Sequence, residues 1–136
     1  MAADIPSGGV TLSEATAWLS GQGYAAEAIT DSDKTQHLRF MLHDVKVGVY
    51  FFDCANSRCA SIQFSSGWAT HGKFDTAKMN TWNRDKRWCR GYFDSTNDPW
   101  VEYDVDLSPG GTYESLKDQL NVFESCVTNF KTMYGL

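Results

Sequence analysis

From Leu38 to Phe64, apolar residues fall on every second position, and this pattern constrains the fold more than any other feature of the chain. Leu38, Phe40 and Leu42 alternate with His37, Arg39, Met41 and His43, and after His43-Asp44 the alternation resumes as Val45, Val47, Val49 and Phe51. Successive side chains of a strand point to opposite faces, so the run fits a half-buried antiparallel sheet and no helix. Pairing Leu42 with Val45 across a two-residue turn keeps both apolar sets on one face, whereas a one-residue slip would turn one set to water. Ala60, Ile62, Phe64 and Trp68 extend the pattern against Ser61, Gln63 and Ser65, and pairing Phe51 with Ile62 unites the apolar sets again. Such a meander needs other elements laid on its apolar face.

Three helices can supply that cover. Thr11-Leu12-Ser13-Glu14 has the form of a capping box, with Leu12, Ala15, Trp18 and Leu19 at helical spacing and Gly21 and Gly23 as the stop. Asp75 is the expected N-cap of a second helix with Met79 and Trp82 on its apolar stripe and Arg84, Lys86 and Arg87 at its end, where positive charge complements the dipole. A long last helix is expected from about Thr112 to Tyr134, since Leu116, Leu120, Phe123, Val127, Phe130 and Tyr134 recur at steps of four and three. Between the second and third helices, Trp88 to Asp94 and Trp100 to Leu107 read as a strand pair. Its inward set is Cys89, Gly91 and Phe93 against Val101, Tyr103, Val105 and Leu107, and its outward set is Arg90 and Tyr92 against Glu102 and Asp104. Tyr24 to Thr30 reads as a further strand. The expected fold is therefore α+β: an antiparallel sheet of five or six strands packed with three helices, in the order helix, meander, helix, hairpin, helix. Residues 1–10, with Pro6, Gly8 and Gly9, read as a loose N-terminal segment ahead of a single domain over 11–136.

At 136 residues and 42% hydrophobic, the chain is large enough to bury a core without a metal or a disulfide. Its formal charge of -5 repels phosphate backbones and anionic lipid, which argues against nucleic acid as a partner. No apolar run reaches the length of a membrane span, and Met1 to Pro6 lacks the regions of a secretory signal. A soluble chain is expected, either cytoplasmic or the remnant of a cleaved secretory precursor.

The four cysteines bear on that choice. The register that pairs Phe51 with Ile62 places Cys54 directly opposite Cys59, within disulfide reach, so a bridge is expected there and with it an oxidising compartment. The alternatives are two reduced thiols at a cytoplasmic hairpin tip, or zinc, for which no second ligand pair of matching spacing exists. Cys89 and Cys126 read as small buried residues whose pairing the sequence leaves open.

No catalytic constellation stands out, and no cofactor or metal is expected. Glu102, Asp104 and Asp106 share a strand face but are expected to be neutralised by Arg84, Arg87 and Arg90. His37, His43 and His71 lie at or near turns without triad or ligand spacing, and Gly8-Gly9 and Gly110-Gly111 do not open a strand-turn-helix phosphate loop. More informative are the aromatic residues assigned to outward positions: Tyr50, Phe52, Trp88 and Trp100. A sheet with rings on its second face is either covered by a helix or offers a patch to a partner.

The run Asn80-x-Trp82-Asn83-Arg84-x-x-Arg87-x-x-Arg90-x-Tyr92-x-Asp94, continued by Asp98-Pro99-x-x-Glu102-x-Asp104, resembles the signature region of the YbjN family of bacterial sensory transduction regulators. Tyr50 to Cys54 with Cys59 and Ser61 to Phe64 resembles the envelope-type branch of that family, in which a cysteine pair follows a cleaved signal peptide. The resemblance implies a fold similar to type III secretion chaperones, in which three strands stand where four are counted here before the second helix. It brings no established catalytic or ligand residues. The signature therefore reads as scaffold: Trp82 as a core plug, Asn83 near a helix end, and the arginines pairing with Glu102, Asp104 or Asp94. Together these features lead to a non-catalytic protein-binding or regulatory domain of the bacterial envelope, periplasmic, with an unidentified protein or a second copy of the chain as partner. The alternative is a small-molecule binder or small hydrolase built on Arg90, Tyr92, Glu102 and Asp104.

Overall fold

The computed structural model describes residues 4–72 and 74–136. The alternating run becomes three long antiparallel strands, β4 (Gln36–Leu42), β5 (Val45–Ala55) and β6 (Arg58–Gly67), in the register that the apolar pattern requires: Leu42 faces Val45 and Phe51 faces Ile62. β3 (Glu27–Thr30) pairs with β4 at one edge; β8 (Pro99–Asp106) pairs with β6, and β7 (Arg90–Phe93) closes the other edge. The order is β3-β4-β5-β6-β8-β7, with β2 (Val10–Thr11) also pairing with β6. Leu38, Phe40, Val47, Val49, Ile62, Phe64 and Val101 are buried on one face.

That face is covered by α1 (Leu12–Gly21), α2 (Thr76–Asp85) and α3 (Tyr113–Tyr134), whose buried stripes merge with the sheet in one core. The protein is thus an α+β structure of three helices and an antiparallel sheet. Phe123 of α3 meets Phe64 at 5.7 Å between ring centroids, and Phe130 meets Trp82 edge-on at 5.2 Å. The capping box at Thr11 forms in full: its hydroxyl accepts from the Glu14 N–H, while the Glu14 carboxylate accepts from the Thr11 N–H.

Two expectations are corrected. The described residues of the N-terminal segment are not loose: β1 (Asp4–Ile5) pairs with β9 (Gly111–Thr112), β2 lies beside Arg58 and Cys59, and Ile5 and Val10 are buried. Strands of two residues leave no periodic signal in a sequence. The strand expected from Trp88 begins instead at Arg90; Trp88 has φ 81°, far from the extended region of a regular strand.

Candidate functional site

Among the described residues, no helix covers the second face of the sheet. Across it the register places Glu27, Arg39, Gly48, Ser65, Glu102 and Arg90 in one transverse row, with Ile29, His37, Tyr50, Gln63 and Asp104 in the next. Opposite charges alternate along the first row. Arg39 reaches Glu27, with N–O distances of 3.0 and 2.5 Å, and Arg90 bridges Glu102 at 3.0 Å and Asp104 at 2.8 Å.

Glu102 is the hub of this lattice. One oxygen accepts from Arg90; the other accepts from the Ser65 hydroxyl and the Tyr92 phenol, both at 3.1 Å. Asp104 accepts from Gln63 at 2.9 Å as well as from Arg90. Every carboxylate oxygen of the pair is therefore engaged. Burial, reinforced by the charge and hydrogen bond of Glu102, pushes the Tyr92 phenol up to about 12, so it stays protonated and donates. These contacts tie β6, β7 and β8 together.

Rings lie over the glycines of this face. A Cβ at Gly48 would fall 2.8 Å from the Tyr50 ring and one at Gly67 only 2.3 Å from the Trp100 indole, so each glycine makes room for an aromatic side chain resting on the sheet. Tyr50 also stacks on His37, with centroids 4.5 Å apart, and His37 bonds to Asp31 at 2.8 Å. The Trp100 indole donates to Asp94 at 2.8 Å. Asp94 organises the turn before β8: the main-chain N–H of Asp98, the Trp100 indole and the Thr96 hydroxyl hold its carboxyl down to about 2. Tyr50 and Trp100 are consequently half-buried, while Phe52, Met41 and Tyr92 remain exposed, Phe52 at 46%.

The signature residues divide by location. Trp82 plugs the core, and Asn83 does more than end a helix: its amide donates to the Gly91 carbonyl and its carbonyl accepts from the Gly91 N–H, both at 2.9 Å. The side chain thus takes the place of a neighbouring strand at the outer edge of β7. Gly91 is required there, since a Cβ would lie 2.4 Å from the Met79 sulfur. The arginine pairing is corrected in two of three cases. Arg84 binds its neighbour Asp85 at 2.7 Å, and Arg87 lies over the Trp88 ring at 4.5 Å, so Arg90 alone of the three neutralises the β8 carboxylates. Helix α2 ends before its last arginines can reach the sheet's open face. Trp88, expected on that face, lies instead in the connection from α2 to β7 and is 59% exposed.

Cys54 and Cys59 form a disulfide with sulfurs 2.09 Å apart at the tip of the β5–β6 hairpin. Cys89 and Cys126 form a second at 2.14 Å, joining the start of β7 to α3. This second bridge lay beyond sequence reasoning, because no periodicity relates a strand position to a helix position 37 residues away. Of the histidines expected at or near turns, His37 lies within β4 against Tyr50, and His43, at the β4–β5 turn, bonds to Glu124 of α3 at 2.9 Å. Gln63 and Ser65 were missed as ligands of the carboxylates; their signal was polar residues at outward positions of a central strand.

The family model described as "YbjN: Putative bacterial sensory transduction regulator" matches residues 11–133. No curated protein matches the chain. Among solved structures, the chain resembles one described as "Crystal structure of YbjN, a putative transcription regulator from E. coli", with 17% identity, a TM-score of 0.61, and coverage of 85% of this chain and 84% of that chain. That likeness carries the fold. The family match runs from the N-cap of α1 into the last turn of α3, and the chain belongs to the YbjN family.

Proposed function

We propose that the protein is a non-catalytic regulatory domain of the bacterial envelope, one domain over 11–136 with β1 and β2 packed into it, that binds a protein partner on the open face of its sheet. One observation carries this reading. Among the described residues, six strands present a helix-free face on which Phe52, Met41 and Tyr92 are exposed around an internally neutralised lattice of charges. Interfaces favour this combination of aromatic and Met anchors with charges that are already paired. The family description as a sensory transduction regulator agrees with a role in binding. The envelope assignment draws on the pairing of all four cysteines, since disulfides persist in oxidising compartments.

Two measurements test the proposal. A photocrosslinking residue at position 52 is expected to capture one discrete protein, or a second copy of the chain, in intact cells, while the same residue at Lys117 on α3 captures none. Equal labelling at both positions, or none at 52, overturns the docking face. A free-thiol count on unreduced, unfolded protein taken from cells is expected to be zero; four free thiols would overturn the envelope assignment.

A further inference from the structure

On the other side of the molecule, where α2 runs beside α3, two clefts of about 270 and 390 Å3 share Trp82, Lys86 and Asn129 as a common wall and form one groove. Its apolar surface comes from Trp82, Trp88, Val122 and Met133. Its charge is unlike that of the protein as a whole. The formal charge of the chain is -5, yet α3 contributes only uncharged residues to the groove, and the one acid lining it, Asp85, is held by Arg84. Lys86 and Arg87 line it without an ion pair among the described residues.

One further feature points to a ligand. Trp88 is held at φ 81°, a conformation disfavoured for a bulky residue, and the result is an indole 59% exposed with the Arg87 guanidinium 4.5 Å from its centroid. That stacking orders the guanidinium and leaves its N–H fork free for a carboxylate. Trp82 is 3% exposed and part of the wall common to both clefts, and its buried indole N–H has no hydrogen-bond partner among the described residues.

We propose that this groove binds an acidic peptide segment of a partner protein, with carboxylates on Lys86 and Arg87 and an apolar side chain against Trp82 and Trp88. The site is separate from the open sheet face and does not depend on it.

The test uses the full chain with both disulfides formed and a capped six-residue peptide alternating glutamate with leucine and phenylalanine. A lysine-for-glutamate version and free glutarate serve as the other arms. Binding is read from the indole 15N–1H resonance of Trp82, assigned with Trp82→Phe. The glutamate peptide is expected to shift this resonance, the lysine peptide to leave it unmoved, and glutarate to bind far more weakly. Arg87→Glu and Lys86→Glu, both exposed and checked for native near-UV circular dichroism, are each expected to weaken binding about tenfold or more, and Phe52→Ser to leave it unchanged. No shift, an equal response to the lysine peptide, or indifference to both charge reversals overturns the proposal. Glutarate matching the peptide would overturn the peptide in favour of a small dicarboxylate.

Discussion

Asn83 lies on the exposed side of the last turn of α2, a position where most residues would be interchangeable, yet its carboxamide satisfies both main-chain groups of Gly91. Asn83→Ala leaves both unmet and is expected to cost about 1–3 kcal/mol of unfolding free energy by urea titration. Asn83→Asp, which keeps the acceptor and loses the donor, is expected to recover only part of the loss. Titration at the residue scale has a defined sign at both ends of the pH range. The Asp94 carboxyl lies near 2 rather than at its ordinary 3.8, so between these values the unfolded chain binds the proton first, and the stability present at higher pH is lost as pH falls through about 2. Tyr92 is raised from 10.0 to about 12, so its contribution is complete below 10 and is lost as pH rises toward 12. Urea midpoints measured across pH are expected to show Asp94→Asn flattening the acid limb and Tyr92→Phe flattening the alkaline one.

Helix α1 depends on the β5–β6 hairpin tip for its anchoring. Arg58 donates to the Gly9 carbonyl and to both oxygens of Glu14, the residue that completes the capping box, while β2 pairs with Arg58 and Cys59. Thr11→Ala is expected to cost about 1 kcal/mol and to raise amide exchange first in α1, with the strands unaffected. The sheet was legible in the sequence because one buried face forces a period of two on Leu38 to Phe64, and the helices because their stripes must match that face. The lattice on the second face was only half legible: Arg90 opposite Glu102 follows from register, but the reach of Gln63, Ser65 and Tyr92 depends on rotamers that no periodicity encodes. The Asn83 contact and the Cys89–Cys126 bridge were illegible for a related reason, since each joins elements whose relative placement is set by packing of the whole core.

For the molecule as a whole, the two bridges act at different ranges. The Cys54–Cys59 bridge spans a separation of 5 and the Cys89–Cys126 bridge one of 37, so loop entropy assigns them about 2 and about 4 kcal/mol respectively. The paired substitution Cys89→Ser with Cys126→Ser is therefore expected to lower the urea midpoint more than Cys54→Ser with Cys59→Ser. The sheet itself ends unequally. At β7 the main chain of Gly91 is occupied by Asn83, whereas β3 ends the sheet at the other side with Ala28 exposed and, among the described residues, no further strand beside it. Polymerisation of sheets by lateral addition needs a receptive site at both ends of every unit. Here an incoming strand finds the ladder interrupted at β7, so copies that met edge to edge would join β3 to β3 and stop at a closed two-fold pair, with growth into a ribbon terminated by one side-chain amide.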